Sequence, residues 1–370
     1  MIRYALPAFA LLFTPVAAAQ DEIVLPTEMC RDYFFVPLVV SAQPGRPESD
    51  EGRTLWLIYD TGASQTHIDP DSIARVANMD VSGLDRVNVT NATMGRLNIN
   101  RLPAELSQLD HLSVGLGREI DGILGVTAFR DFLMTLDYEH GVIRLANGEL
   151  PRPDGETVFS TRGPGVRPFI ELDLPGRRDR RVLIDSGAAG TPLALNRIER
   201  YPLVDDPRPI GASIRFAHIE YREGGRLDGD VRLGDFVFEQ PLIEDLPETE
   251  IIGGMMMRHF NWTFDQRHER VRLERIAGDG PIPMDAETVH GLALRPQGRD
   301  VVIDAILPGS RAIEAGLAEG DVLTHFDGLP VAERGCGFGN GEETPSSITV
   351  TRVRDGEAMD VVLPLVTLVE

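Results

Sequence analysis

An apolar run that ends on a carboxylate occurs twice in this chain, and that repetition constrains the fold more than any other feature. The first copy is Leu57-Ile58-Tyr59-Asp60-Thr61-Gly62-Ala63-Ser64; the second is Val182-Leu183-Ile184-Asp185-Ser186-Gly187-Ala188-Ala189. A carboxylate at the end of a buried strand is costly unless something uses it. The glycine that follows lets the chain turn sharply and lets a second backbone come close. One Asp-Thr-Gly turn would be unremarkable in a surface loop. Two copies with matching flanks define duplicated units.

The flanks match. An apolar-apolar-Gly triplet follows each motif, Ile123-Leu124-Gly125 and Ile251-Ile252-Gly253, 65 residues after Asp60 and 68 after Asp185. Beyond the glycines the halves run in register at an offset of 128 residues: Arg130 with Arg258, Phe132 with Phe260, Thr135 with Thr263, Asp137 with Asp265, His140 with His268. Ile143-Arg144-Leu145 then matches Val271-Arg272-Leu273. A period this long exceeds that of solenoid repeats and points to two related lobes. His259 and His268 flank a repeat element and read as strand-end residues. The chain has no His-Glu-x-x-His pattern and only two cysteines, so no metal site is expected.

These paired motifs resemble the aspartic peptidases, specifically their retropepsin-like branch, over roughly residues 30–275. The resemblance implies an all-β, bilobal acid-protease fold of β-barrel lobes, each contributing one catalytic aspartate, Asp60 and Asp185. It implies that Thr61 and Ser186 bond across the lobe interface, and that Gly62 and Gly187 keep the backbone close to the carboxylates. Ala63 and Ala188 stand where pepsin-like members often carry a hydroxyl that bonds the carboxylate. Two carboxylates so close share one proton and titrate as a pair, as aspartic-protease dyads do. The implied activity is endopeptidase cleavage of a polypeptide by an activated water, with no metal or organic cofactor. Both halves lie in one chain, so a monomer is expected. The alternative is a catalytically silent peptide-binding protein of the same fold, acting through its cleft or its last domain.

Residues 1–19 read as a leader: Arg3, an apolar core from Ala5 to Val16, then Ala17-Ala18-Ala19 before Gln20. No later stretch is long and apolar enough to span a bilayer, so an exported, periplasmic or secreted protein is expected. A formal net charge of −22 argues against a nucleic-acid partner. In an oxidising compartment Cys30 and Cys336 permit one bridge between the ends of the chain, with free thiols as the alternative. Lobe 1 is expected over 20–150 and lobe 2 over 151–277, with a linker over 147–167. Feeder strands are predicted over 34–40, an apolar run, and over 168–174, where Ile170, Leu172 and Leu174 alternate with Glu171 and Asp173. Short helices are predicted over 70–76 and 193–199. Two hairpins are candidates for closing over a substrate, residues 87–100, turning near 91–95, and residues 213–233, turning at Gly224-Gly225. Both read equally as ordinary surface hairpins.

From Gly278 the sequence changes character. Gly291-Leu292-Ala293-Leu294, Pro308-Gly309-Ser310-Arg311-Ala312 and Gly320-Asp321-Val322-Leu323 resemble a PDZ domain of the bacterial periplasmic-protease type, over residues 278–370. That likeness implies a carboxylate-binding loop at Gly291, Leu292, Ala293 and Leu294, and capture of an extended peptide, often a C-terminus, by strand addition. Ser310 is a helix N-cap candidate, with Ile313 and Leu317 on one face and Gly320 past the end. Residues 348–354 and 359–365 read as the last strands. Where such domains carry a groove-lining helix, residues 333–347 are too rich in glycine for one.

Overall fold

The computed structural model describes residues 22–41, 53–215, 218–284, 286, 288–335 and 346–369, without side chains for 212–220. The leader at 1–19 and Cys336, with its pairing to Cys30, lie outside the described residues. No described helix is long and apolar enough to cross a membrane.

The fold is all-β. The described residues form many strands and only three short α-helices: α1 (Pro70–Ala77), α2 (Asp110–Leu116) and α3 (Gly254–Met257). Each lobe is built on one large sheet, nine-stranded in lobe 1 and ten-stranded in lobe 2. In lobe 1 the strand Thr54–Asp60 pairs antiparallel with Tyr33–Val40 and parallel with Gly122–Gly125, so that Gly125 lies opposite Asp60. In lobe 2 the strand Arg177–Ile184 repeats this between Phe169–Leu174 and Ile251–Ile252. Paired on both edges, each strand holds the base of its aspartate rigidly.

A six-stranded sheet joins the lobes. Its central pair, Leu133–Asp137 and Phe260–Asp265, comes from equivalent positions of the two repeats. Thr135 lies opposite Thr263, and their hydroxyls are 2.9 Å apart. Equivalent residues meet in this way only on a two-fold axis, so the 128-residue offset reappears as a local symmetry of the fold. His140 and His268 cap equivalent turns, each ring 2.8–3.0 Å from the aspartate three residues before it. One hydrophobic core, including Leu136, Trp262 and Phe264, runs through both lobes.

Several elements depart from the sequence reading. Leu193–Leu195, expected to begin a helix, is a strand held between Leu242–Asp245 and Ile251–Ile252. All three residues are fully buried, and helical character survives only in the 3₁₀ turn Ile198–Arg200. The linker contributes a strand, Val158–Ser160, to the interlobe sheet. Ile282–Pro283, past the change of character at Gly278, adds a parallel strand to lobe 2 beside Phe236–Glu239, with Ile282 fully buried. The lobe 1 hairpin turns at Gly95-Arg96 and abuts Val39-Val40. That end of the sheet is about 20 Å along the strand from Asp60 at ~3.4 Å per residue, so this hairpin does not close the cleft. In lobe 2 Arg215 pairs with His218, so the hairpin does not turn at Gly224-Gly225. Gly224 and Gly225 lie within a strand, opposite Glu244 and Ile243. A Cβ on Gly224 would run into Ile210, so this glycine serves close packing and not a turn.

The C-terminal domain has its own five-stranded path, Leu292–Gln297, Asp300–Ile306, Val322–Phe326, Ser347–Arg354 and Glu357–Pro364, with Leu329–Pro330 attached. Ser310 Oγ accepts from Ala312 N at 3.1 Å as a cap should. The segment after it is nevertheless only a series of turns, ended by Gly316 at φ +90°. Ile313 is 71% exposed while Leu317 is buried, so the two do not share a face.

Candidate active site

The two aspartates come together. A Cβ built on Gly62 would lie 2.5 Å from Asp185 Cγ, and one on Gly187 would meet Asp60 as closely. Each glycine is therefore required by the carboxylate of the opposite motif. Gly62 N and Ala63 N donate to Asp60 Oδ1 at 2.7 and 3.0 Å. Asp185 Oδ1 receives Gly187 N at 3.0 Å, while Ala188 N donates to the Asp185 carbonyl at 3.3 Å.

Thr61 and Ser186, both fully buried, tie the two loops together. Thr61 Oγ1 donates to Ile184 O at 2.7 Å and accepts from Ser186 N at 2.9 Å. Ser186 Oγ donates to Tyr59 O at 3.0 Å and accepts from Thr61 N at 3.1 Å. Each hydroxyl acts as donor and acceptor at once, which an apolar side chain of the same shape cannot do. The relative position of the two carboxylates is set by these four bonds and by the central interlobe strands.

Burial raises both carboxyl groups. Asp185 is pushed up to about 7 by desolvation first, then by the charge and hydrogen bond of Asp60, against Gly187 N and Arg167. Asp60 is raised by desolvation, but Gly62 N, the Asp185 carboxyl, Ala63 N and His67 all act in the opposite direction. Asp60 Oδ1 has two backbone N–H donors and Asp185 Oδ1 one, which favours the ionised form at Asp60 and the shared proton at Asp185.

Beside the dyad lies a cavity of about 270 Å³, lined by Tyr33, Ile58, Leu112, Leu116 and Ile123 around Asp60 and Gly187. Burial raises the Tyr33 phenol, Arg31 opposes this, and both aspartates add to it. A larger open recess near Ser64, Arg86 and Arg101 does not include the aspartates. Tyr33, His67, Arg167 and the α2 side chains were not found by sequence reasoning, because none sits in a repeated motif. For Tyr33 the signal available was its place at the head of the feeder strand.

The loop at Gly291, Leu292, Ala293 and Leu294 belongs to the C-terminal sheet. Gly291 adopts φ +65° and packs against Ser310, and Leu292–Gln297 is an edge strand. Leu292 and Ala293 are buried.

No protein-family model matches the chain, and no curated protein matches its sequence. Among solved structures it is similar to a PDZ domain protein from Parabacteroides distasonis. That match has 19% identity and a TM-score of 0.19, and covers 22% of this chain and 20% of the other. The likeness therefore spans about a fifth of either chain.

Proposed function

We propose that this chain is an aspartic-type endopeptidase whose catalytic pair is Asp60 and Asp185. The observation that carries the reading is the mutual placement of the two carboxylates, each against the other motif's glycine and both in buried surroundings that keep one proton between them. Asp60, with two backbone donors on one oxygen, is the base that takes a proton from a bound water. The water attacks the scissile carbonyl. Asp185 donates its proton to the carbonyl oxygen in the same step. The C–N bond of the gem-diol then breaks as Asp60 passes its gained proton to the leaving amine and Asp185 takes back a proton from a gem-diol hydroxyl. The cavity beside Asp60 takes an apolar side chain of the substrate. The lobe 2 hairpin, Arg208–Arg215 with His218–Arg226, pairs with the rest of its sheet only through Gly224–Arg226; in this reading it is the segment that covers a bound peptide. The leader is removed on export, and the mature chain acts as a monomer.

The test is incubation of the mature protein with a mixed peptide library, beside Asp60→Asn and Asp185→Asn. Cleavage at defined bonds by the wild type, abolished in both single variants, is expected. Turnover that survives either variant would sink the shared dyad. A folded wild type that binds peptides and cleaves none would instead favour the silent peptide-binding protein.

A further inference from the structure

Helix α2 stands between the dyad and the C-terminal domain, with one face toward each. Leu112 and Leu116, four residues apart, share a face and line the cavity beside Asp60 and Gly187. Val114 is about 200° around the helix from Leu112 at 3.6 residues per turn. It is buried in the core of the C-terminal domain with Leu292, Ile303, Leu323 and Val331. The helix has seven residues and no side-chain cap at its start, so packing and not propensity must hold it.

Its last turn is held by the other domain. Arg334, 6% exposed, donates to Val114 O at 3.1 Å, Gly115 O at 2.5 Å and Val331 O at 2.8 Å. Gly335 N donates to Gly117 O at 2.8 Å. The guanidinium thus satisfies carbonyls that a helix end leaves open and places a cation at its negative pole. Gly117 adopts φ +67°, and a Cβ there would collide with the Arg334 side chain. The Leu292–Gln297 strand pairs with Asp300–Ile306 on one side. Both α2 and the lobe 2 strand Arg208–Arg215 pack on it, and α2 also packs on the 3₁₀ turn Val331–Glu333.

We propose that the C-terminal domain is engaged in cis by α2 and serves to position the apolar wall of the substrate cavity, with Arg334 as the positioning residue. α2 and the Arg208–Arg215 strand pack against the edge strand that strand addition would use, and in this proposal the domain so engaged does not recruit free peptide C-termini. The part of this inference that concerns substrate selection rests on the endopeptidase reading; the docking of α2 does not.

The experiment uses the full-length chain and two variants, Arg334→Gln and Val114→Ala. The first removes donors to α2, and the second removes two methyl groups at the domain contact and stays folded even if the first does not. Hydrogen exchange of residues 110–117 should be at least 10-fold faster in either folded variant, with Thr54–Asp60 and Ser347–Arg354 unchanged. With peptides that differ only in the apolar residue at the cleaved bond, KM should rise for the bulkier one while kcat holds. A labelled peptide ending in a free apolar residue should bind the wild type no more tightly than the same peptide with an amidated C-terminus. Unchanged exchange at 110–117 in folded Val114→Ala, or tighter binding of the free-carboxylate peptide by the wild type, would overturn the proposal. If the wild type cleaves no peptide, the endopeptidase reading fails, while the exchange result still decides the docking of α2.

Discussion

Replacing Asp185 by Asn should change how the stability of the fold depends on pH, whether or not any peptide is cleaved. An unfolded aspartate releases its proton near 3.8, whereas Asp185 in the fold holds its proton to about 7. Between those values the folded state binds a proton that the unfolded state has lost. The stabilisation is therefore fully present below 3.8 and disappears as pH rises through about 7. One proton over that interval, at about 1.4 kcal/mol per pH unit, gives a ceiling of ~4 kcal/mol. Asn has no proton to release, so the variant lacks this slope. Urea denaturation followed by fluorescence of buried Trp262 would be measured for both proteins from pH 4.5 to 8. The wild type should lose stability relative to the variant by a few kcal/mol across the range. The carboxylates of Asp137, Asp154 and Asp321, which are held low, contribute equally to both and cancel in the difference. Parallel curves for wild type and variant would refute the argument that Asp185 is the buried proton holder. Asp60→Asn removes the second and third causes of the shift and leaves desolvation, so its sloping window should sit at lower pH than that of the wild type.

Thr61→Val removes the acceptor of Ser186 N and the donor to Ile184 O in a fully buried site. Urea denaturation should show a loss of about 2–6 kcal/mol at 1–3 per orphaned group. Gly115→Ala adds a methyl where nothing lies within 4 Å, on a helix residue that lines the cavity. It should stabilise the fold by up to about 1 kcal/mol and shift preference toward smaller apolar side chains, read from the kcat/KM ratio of paired peptides. Ala63→Ser combined with Ala188→Ser offers each ionised carboxylate a hydroxyl donor and should move the acidic limb of the pH–rate profile to lower pH; a limb that stays or rises would count against that reading.

What the sequence made legible is what the repeat duplicates. The Asp strands, their apolar-apolar-Gly neighbours, the hydroxyls of Thr61 and Ser186, and the matched Thr135 and Thr263 all announce themselves because each element appears twice, under the same local rules. Leu193–Leu195 was misread for the complementary reason. Three small-to-medium apolar residues suit either a helix or a strand, and only pairing on both edges decides between them. The strand Ile282–Pro283 was hidden by the Gly-Asp-Gly-Pro composition before it, since a parallel partner 44 residues earlier leaves no local signal. Long-range pairing is invisible in composition.

The least legible parts are those by which the two lobes differ, and here the spacing itself misled. Leu195 and Asp245 lie 50 positions apart, where their lobe 1 counterparts Ile68 and Leu106 lie 38 apart. After those positions the imbalance reverses: Asp245 and Gly253 lie 8 apart, but Leu106 and Gly125 lie 19 apart. The excess in lobe 2 accompanies the Arg208–Arg226 hairpin, and the excess in lobe 1 is the segment that carries α2. The two nearly cancel, so the motif-to-motif distances of 65 and 68 looked like those of equal lobes. Both insertions meet the Leu292–Gln297 strand of the C-terminal domain. A two-fold core cannot present a third domain with two different surfaces unless its halves diverge. In this chain the divergence lies in the two segments that touch that domain, and one of them, α2, also walls the cavity beside Asp60. The symmetric part of the molecule brings the carboxylates together, and the asymmetric part ties the third domain to one wall of the cavity beside them.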